Sequence, residues 1–228
     1  MRAAEAGQQG LPSNVRRERP ARRSGVPDEL AQASRILVIG SAGSGKSTLS
    51  RDLARRLNRP LVRLDDIYWE SCWSRPDPDV FRSRLIEALA QPSWIIDGGY
   101  IDSLPERLPF ADAVVYLDLA PPVCAARFAW RTFKHHVGLS DDRPQAIREA
   151  AARNDRRMSP RFPTRSRFLI KITRILTYRR RVRPRILAML EHHRDRIPVI
   201  ILTDRAAVDA LIGGVAPPRT RDASLAPS

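Results

Sequence analysis

Residues 35–48 read RILVIGSAGSGKST, and this stretch decides the fold. Its first half is a short apolar run ending in glycine, which predicts a buried strand over Arg35–Ile39. Its second half, Gly40–Ser47, matches the pattern G-x-x-x-x-G-K-[ST], in which glycines let the backbone turn tightly and aim its N–H groups inward. Leucines then recur at helical spacing over Thr48–Leu57. The order strand, glycine-rich turn and helix is typical of a phosphate-binding loop.

This loop predicts a binding site for ATP and Mg²⁺. Lys46 can reach the β- and γ-phosphates, and the Ser47 hydroxyl can ligate Mg²⁺. Only three of the 40 basic residues are lysine, and one of the three occupies the phosphate position. A glycine-rich turn without a ligand is the alternative interpretation. The predicted nucleotide-binding residues are Gly40, Ser41, Ala42, Gly43, Ser44, Gly45, Lys46, Ser47 and Thr48.

Short apolar runs and amphipathic stretches alternate along the rest of the chain. The apolar runs predict four further strands, at Leu61–Leu64, Trp94–Ile96, Ala113–Leu117 and Val199–Leu202. Helices are predicted at Asp79–Ala90 with Asp79 as the cap, Pro122–His136, Arg183–His192 and Arg205–Ile212. Because strands separated by helices take right-handed crossovers, the pattern predicts an α/β fold. Its centre is a five-stranded parallel sheet with helices on both faces.

The folded domain is expected over residues 34–213. Residues 1–33 have no periodic apolar pattern and are predicted to form a disordered basic tail, although the folded part could begin near Val26. Residues 214–228 are interpreted as a second disordered tail. The arginine-rich stretch of about 137–181 lacks clear strand patterns. It predicts a mobile, partly helical lid.

Most of the formal net charge of +15 lies between residues 120 and 196, which hold 20 Lys and Arg against 6 Asp and Glu. Such a segment could clamp a triphosphate, bind nucleic acid or another acidic partner, or simply form a solvated surface. Arg127 and Arg131, on the helix after the fourth strand, are candidates for contacting phosphates. Further candidates in the lid are Arg153, Arg156 and Arg157. The run Arg179–Arg181 is interpreted as surplus charge.

Two aspartates that follow predicted strands are the candidate acidic residues of the site. Asp97, in the stretch WIIDGGY, suits a carboxylate held near Mg²⁺, and a capping or turn role is the alternative. Asp65 follows the second strand, where it could orient or deprotonate an acceptor hydroxyl, or merely start a turn with Asp66. Nearby aromatic residues could line an acceptor pocket or simply pack: Tyr68, Trp69 and Trp73.

These motifs together resemble the adenylate-kinase-like P-loop proteins called DNA topology modulation proteins. The matching stretches are RILVIGSAGSGKSTLSRDLA, VRLDDIYW, SWIIDGGYIDSLPERLPFADAVVYLDL and RPRILAML, within residues 35–212. The resemblance implies a P-loop NTPase fold of the nucleoside and nucleotide kinase type, an ATP and Mg²⁺ site and an acceptor that the motifs do not define. The family name also implies an effect on DNA topology.

Two functional hypotheses follow. In the first, a P-loop kinase or NTPase transfers the γ-phosphate of ATP to a small-molecule or nucleotide acceptor. Its catalytic residues are Lys46, Asp65, Arg127 and Arg131, and its metal-binding residues are Ser47 and Asp97. In the second, a DNA-binding protein uses the ATP site as a switch and binds nucleic acid through residues 120–196. No run of about 18 apolar residues occurs and the two cysteines form no pattern. We therefore expect a cytoplasmic monomer without membrane contacts.

Overall fold

Five parallel strands form the centre of the fold. The computed structural model describes residues 26–70, 75–137, 139 and 165–215. The strands are β1 Arg35–Gly40, β2 Leu61–Arg63, β3 Trp94–Asp97, β4 Ala113–Leu117 and β5 Val199–Leu202. They are ordered β2-β3-β1-β4-β5, and every neighbouring pair is parallel. The predicted fold class is confirmed, because this is an α/β fold of the P-loop NTPase type.

Helices connect the strands along the chain. They are α1 Val26–Gln32, α2 Lys46–Leu57, α3 Leu64–Tyr68, α4 Pro78–Leu89, α5 Leu104–Arg107, α6 Pro121–His136, α7 Arg165–Leu176, α8 Tyr178–Arg181, α9 Arg183–His192 and α10 Arg205–Gly214. Two 3₁₀ turns flank α5, at Ile101–Ser103 and Leu108–Phe110. The cap predicted for α4 is wrong by two residues. Asp77 caps this helix by accepting a hydrogen bond from the Asp79 amide, because Pro78 already occupies the first turn. Within the described residues, no helix is long and apolar enough to cross a membrane.

The two faces of the sheet bury two separate cores. Ile36 and Val38 of β1 face one core, which α2 and α10 cover through Leu49, Leu53, Val208 and Leu211. Leu37 and Ile39 alternate with them and face the other core, which α4 and α9 cover through Leu85, Leu89, Ile186 and Leu190. Because neighbouring residues of a strand point to opposite faces, one apolar run supplies both cores.

The predicted domain boundary at residue 34 is too late. Helix α1 lies inside the stretch assigned to the tail, and its Leu30 is fully buried in the same core as Ile36. Val215, beyond the predicted end at residue 213, is also buried there. Each end of the folded domain is attached to the core by only one or two buried apolar side chains. Such a small number does not produce a periodic apolar pattern in the sequence. The remaining tail predictions, for residues 1–25 and 216–228, lie outside the described residues.

The described part of the predicted lid is packed helix. Helix α7 lies against α6, and the Phe168 ring stacks on that of Phe128 with centroids 6.0 Å apart. Ile172 and the buried Ile175 join the same cluster, whereas Leu169 is exposed. Residues 138 and 140–164, which include Arg153, Arg156 and Arg157, lie outside the described residues.

Candidate active site

The phosphate loop runs from the end of β1 to the start of α2 at the carboxyl edge of the sheet. Gly43 and Gly45 have φ of 79° and 94°, a region that side chains with a Cβ rarely adopt. A Cβ on Gly43 would lie 2.1 Å from the backbone oxygen of Cys124 in α6. The loop therefore rests directly on α6, and glycine is required there for both conformation and space.

Helix α2 begins at Lys46, and no side chain caps its amino terminus. Its first-turn N–H groups and its dipole are thus directed at the loop, as the sequence predicted. Lys46 and Ser47 are half-buried, and Thr48 is exposed. Ser41 and Ser44 are buried. Ala42 differs from its neighbours, because its side chain packs against the cluster of α6 and α7.

Two glycines after β3 set the distance between the phosphate loop and α3. A Cβ on Gly99 would lie 2.7 Å from the carbonyl oxygen of Gly40 and 3.9 Å from Cε of Lys46. A Cβ on Gly98 would lie 2.5 Å from the side chain of Leu64, the first residue of α3. The loop after β3 therefore packs tightly between the phosphate loop and α3, the helix that carries Asp65.

Asp97 ends β3 beside the phosphate loop. It lies opposite Val38 of β1, two residues before Gly40. Its side chain is buried, and its Oδ1 has no hydrogen-bond partner among the described residues. A buried carboxylate oxygen without a donor is unfavourable, and a hard cation such as Mg²⁺ would satisfy it. Asp97 and Ser47 fit Mg²⁺, which needs few protein ligands because it keeps waters and substrate oxygens.

Asp65 is held by a residue that the sequence analysis did not single out. The hydroxyl of Tyr100 donates a hydrogen bond of 2.5 Å to Oδ1 of Asp65. Burial, and then the adjacent carboxylate, raise the pKa of Tyr100 well above its usual value, so the phenol remains protonated and acts as a donor. Asp65 itself is exposed at the carboxyl edge.

An aromatic wall adjoins Asp65. The Tyr68 ring lies 4.6 Å from Tyr100, 5.0 Å from Trp69 and 5.1 Å from Phe81, measured between centroids. Tyr68 and Trp69 are two of the aromatic residues expected either to line an acceptor pocket or simply to pack, whereas Phe81, from α4, was not among the candidates. Trp73 lies outside the described residues. The rings meet edge to face or tilted, and together they form a half-buried aromatic cluster beside the carboxylate.

A fully buried arginine holds the loop after β3. The Arg107 guanidinium donates hydrogen bonds to the carbonyl oxygens of Gly98, Tyr100 and Ser103, at 3.2, 2.6 and 3.3 Å. It has no carboxylate partner within the described residues, and burial lowers its pKa to about 10, which leaves it a cation at neutral pH. Nothing in the stretch LPERLP predicted this role, since it depends on how the loop folds back.

The two predicted arginines of α6 lie on the phosphate-loop side of the helix. Nη1 of Arg127 lies 3.9 Å from the position of a Cβ on Gly45. Arg127 also lines a cleft beside α2 with Thr48 and Arg205. Arg131, one turn further along α6, lies over the Phe128 ring at 5.7 Å. Their contact with phosphates remains a prediction.

The interpretation of Arg179 as surplus charge is wrong. Asp118 follows β4 and is buried, and its carboxylate pairs with Arg183 at 2.7 Å and Arg179 at 3.8 Å. Arg179 also donates to the carbonyl oxygen of Asp118. Because Leu117 of β4 lies opposite Gly40, this ion pair ties α8 and α9 to the edge that carries the phosphate loop. All three arginines of the run are exposed, but only Arg179 forms an ion pair with another described residue.

Comparisons with known proteins find distant relatives among kinases. No family model matches the chain. The cytidylate kinase of Pyrobaculum arsenaticum is 29% identical over 113 residues, which are 43% of this chain and 61% of that protein. The cytidylate kinase of Pyrobaculum islandicum is 28% identical over 137 residues, 54% of this chain and 71% of that protein. The chain therefore spans less than two thirds of the first of these relatives.

A solved structure of shikimate kinase from Acinetobacter baumannii in complex with shikimate is similar with a TM-score of 0.46 at 19% identity. The match covers 81% of this chain and 92% of the other. A similarity of this size carries no argument about the reaction.

The fold and the phosphate loop define a P-loop protein of the kinase type. The cytidylate kinase relatives support the prediction of a P-loop phosphotransferase. These relatives support the resemblance to adenylate-kinase-like P-loop proteins in general. They do not support the narrower resemblance to the DNA topology modulation proteins.

Proposed function

We propose that the chain transfers the γ-phosphoryl group of ATP, with Mg²⁺, to an oxygen of a small-molecule or nucleotide acceptor. The proposal rests on the position of the loop after β3, which packs between the phosphate loop and α3. This loop holds the phosphate loop through Gly99 and the acceptor carboxylate through Tyr100 at one edge of the sheet. A protein that only sensed ATP would need one carboxylate for Mg²⁺, the role given to Asp97, but not a second one held in position at the same edge, as Asp65 is.

ATP would lie across α2 with its phosphates in the loop. The loop amides and Lys46 bind the phosphate oxygens, and Arg127 adds positive charge from α6. The base would lie on the side of α2 that carries Thr48, near Arg127 and Arg205, where these residues line a small cleft. Ser47 and Asp97 would hold Mg²⁺, which neutralises charge on the β- and γ-phosphates when it is bound.

The acceptor would bind on the opposite side, against Asp65 and the aromatic wall. When the acceptor is a hydroxyl, Asp65 orients it towards the γ-phosphorus and takes its proton as the oxygen attacks. The bond from the γ-phosphorus to the bridging oxygen breaks, the bond to the acceptor oxygen forms, and ADP leaves. Tyr100 would keep the Asp65 carboxylate in place, and Arg131 would add positive charge near the transferred group.

A screen of ATP consumption tests this proposal. The panel contains cytidylate and other nucleoside monophosphates, nucleosides and small alcohols, each with Mg²⁺ and full-length protein. We expect one acceptor class to give ADP and a phosphorylated product. Lys46→Ala should remove most of this activity and weaken ATP binding, because it deletes a charge-assisted phosphate contact. A parent protein that does not bind ATP, or a Lys46→Ala variant with parental turnover, would contradict the proposal.

A second candidate function is nucleotide-regulated DNA binding. Arg180 and Arg181 are exposed and form no ion pair with another described residue, which supports a basic surface on α8. DNA retention that falls roughly 10³–10⁵-fold between 50 and 200 mM salt would favour this function. Arg180→Gln with Arg181→Gln tests it without disturbing the Arg179 pair. Under the kinase proposal the chain acts as a cytoplasmic monomer and the parent shows no such retention.

A further inference from the structure

The segment that forms the acceptor side is acidic, although the chain as a whole is strongly basic. Residues 64–107, from the start of α3 to the end of α5, hold nine Asp and Glu against four Arg, whereas the chain has a formal net charge of +15. Helices α6, α7 and α8 have the opposite composition, with ten Lys and Arg and no acidic residue. Arg127 of α6 lies beside Gly45 of the phosphate loop. Positive charge thus adjoins the phosphate loop, and negative charge dominates the segment that carries Asp65.

Most arginines of this acidic segment already have partners within it. Three of the four are bonded: Arg82 to Glu106 at 3.4 Å, Arg84 to Glu70 at 3.1 Å, and the buried Arg107 to three backbone carbonyl oxygens. Arg75, exposed between α3 and α4, is the one arginine of the segment without a bond to another described residue. The segment therefore offers an anionic acceptor a single uncommitted arginine against nine carboxylates.

Asp65 is the charge that an acceptor would meet first. Its carboxylate is exposed, forms no ion pair with another described residue, and is held by the hydroxyl of Tyr100. Two kinds of acceptor make opposite demands on such a group. A hydroxyl keeps its proton at neutral pH and needs a base as it attacks, whereas a phosphate monoester, with a second pKa of about 6, is already anionic. A fixed carboxylate therefore assists a hydroxyl and repels a phosphate.

We propose that the acceptor is a hydroxyl compound without phosphate or carboxylate groups, and that Asp65 excludes nucleoside monophosphates. This inference rests on the proposed function and narrows its substrate class. The hydroxyl proton passes to Asp65 while the hydroxyl oxygen bonds to the γ-phosphorus. The bond from that phosphorus to the bridging oxygen breaks, and its electron pair leaves with ADP. The half-buried aromatic wall contacts the apolar part of the acceptor, and the repulsion of anions by Asp65 supplies the specificity.

The first test arranges the acceptor panel in pairs that differ only in a phosphate group. The pairs are cytidine with cytidylate, a sugar with its sugar phosphate, and an amino alcohol with its phosphate ester, each with the full chain, ATP and Mg²⁺. We expect the acceptor to be the uncharged or cationic member of a pair. Its phosphorylated partner should have a kcat/KM at least about 10²-fold lower. Equal or better use of a phosphorylated member would overturn the inference.

A binding measurement gives a readout that does not depend on turnover. Cytidylate is titrated by calorimetry into protein saturated with a non-hydrolysable ATP analogue and Mg²⁺. Asp65→Asn keeps the size of the side chain and removes its charge, so it should bind cytidylate at least about tenfold more tightly than the parent. Asp102→Asn is the matched control, because it removes the same charge from an exposed side chain of the same segment. Its cytidylate affinity should equal that of the parent.

Water serves as the hydroxyl acceptor if no member of the panel is used. Asp65→Asn should then slow ATP hydrolysis at least about tenfold, because water loses its proton acceptor, and Asp102→Asn should hydrolyse ATP at the parental rate. If Asp65→Asn fails to fold by circular dichroism, Asp65→Ala is measured against the same expectations. Parental hydrolysis or unchanged cytidylate affinity in the Asp65 variant overturns the inference while the proposed function stands. A parent that neither binds ATP nor transfers phosphate overturns the proposed function itself.

Discussion

The Tyr100 hydroxyl donates a 2.5 Å hydrogen bond to the Asp65 carboxylate, which lies 35 residues earlier in the chain. This contact joins the loop after β3 to the helix after β2 across neighbouring strands. The same loop touches the phosphate loop through Gly99. The donor and acceptor sides of the site are thus linked by four consecutive residues, Asp97–Tyr100.

Tyr100→Phe should mainly affect the acceptor side. The variant removes one hydrogen bond to a solvent-exposed carboxylate, which is worth about 1 kcal/mol. We expect kcat to fall about fivefold to tenfold, with the dissociation constant for ATP unchanged. Asp65→Asn in the same assay should lower kcat further, because it removes the proton acceptor. A change in ATP affinity that exceeds the change in kcat would contradict the assigned role of Tyr100.

Asp97→Asn should raise the Mg²⁺ concentration needed for activity, because it removes the carboxylate charge beside the loop. A second readout does not depend on turnover. In thermal unfolding with ATP, added Mg²⁺ should stabilise the parent more than the variant, since a ligand stabilises the state that binds it. Without metal the variant should be at least as stable as the parent, because Asp97 Oδ1 is buried without a partner. If both proteins depended equally on Mg²⁺, Asp97 would not be a metal-binding residue.

Gly99→Ala should displace the phosphate loop. Its Cβ would lie 2.7 Å from the Gly40 carbonyl oxygen, so one of the two loops must move. We expect ATP affinity to fall at least about tenfold, since the loop amides lose their alignment on the phosphates. Gly213→Ala is the matched control, because a Cβ at that position of α10 meets nothing within 4 Å. The control should keep parental affinity and gain roughly 0.5–1 kcal/mol from its better helix propensity.

Arg107→Lys should destabilise the loop after β3. A single ammonium cannot replace a guanidinium that donates to three carbonyl oxygens, so buried acceptors lose their donors. We expect a loss of roughly 1–3 kcal/mol in the free energy of unfolding. The melting temperature should fall by about 2–4 °C for each kcal/mol. Arg82→Lys, at an exposed pair with Glu106, should change stability by less than about 0.5 kcal/mol. Equal melting temperatures for Arg107→Lys and the parent would show that the loop after β3 does not depend on the hydrogen bonds of Arg107.

Local patterns in the sequence were sufficient for the fold and for the phosphate loop. Strand β1, the glycine turn and α2 follow one another in adjacent residues, so periodicity and motif spacing are visible without tertiary contacts. The same holds for the four other strands, whose apolar runs are visible in the sequence. Strands β3 and β4 are buried on both sides of the sheet, whereas β2 and β5, at its two edges, are only partly buried. Asp65 and Asp97 could be selected because parallel strands bring their carboxyl ends to one edge.

Only the tertiary structure decided which residues hold these groups in place. Tyr100 reaches Asp65 over 35 residues, and Arg179 reaches Asp118 over 61, at spacings that no local pattern encodes. Leu30 joins the core through one buried side chain, which a periodicity search cannot detect. The sequence alone thus determined which groups are predicted to bind phosphate, since the motif that identifies them is local. Their alignment is decided by long-range packing, because it depends on where distant segments meet.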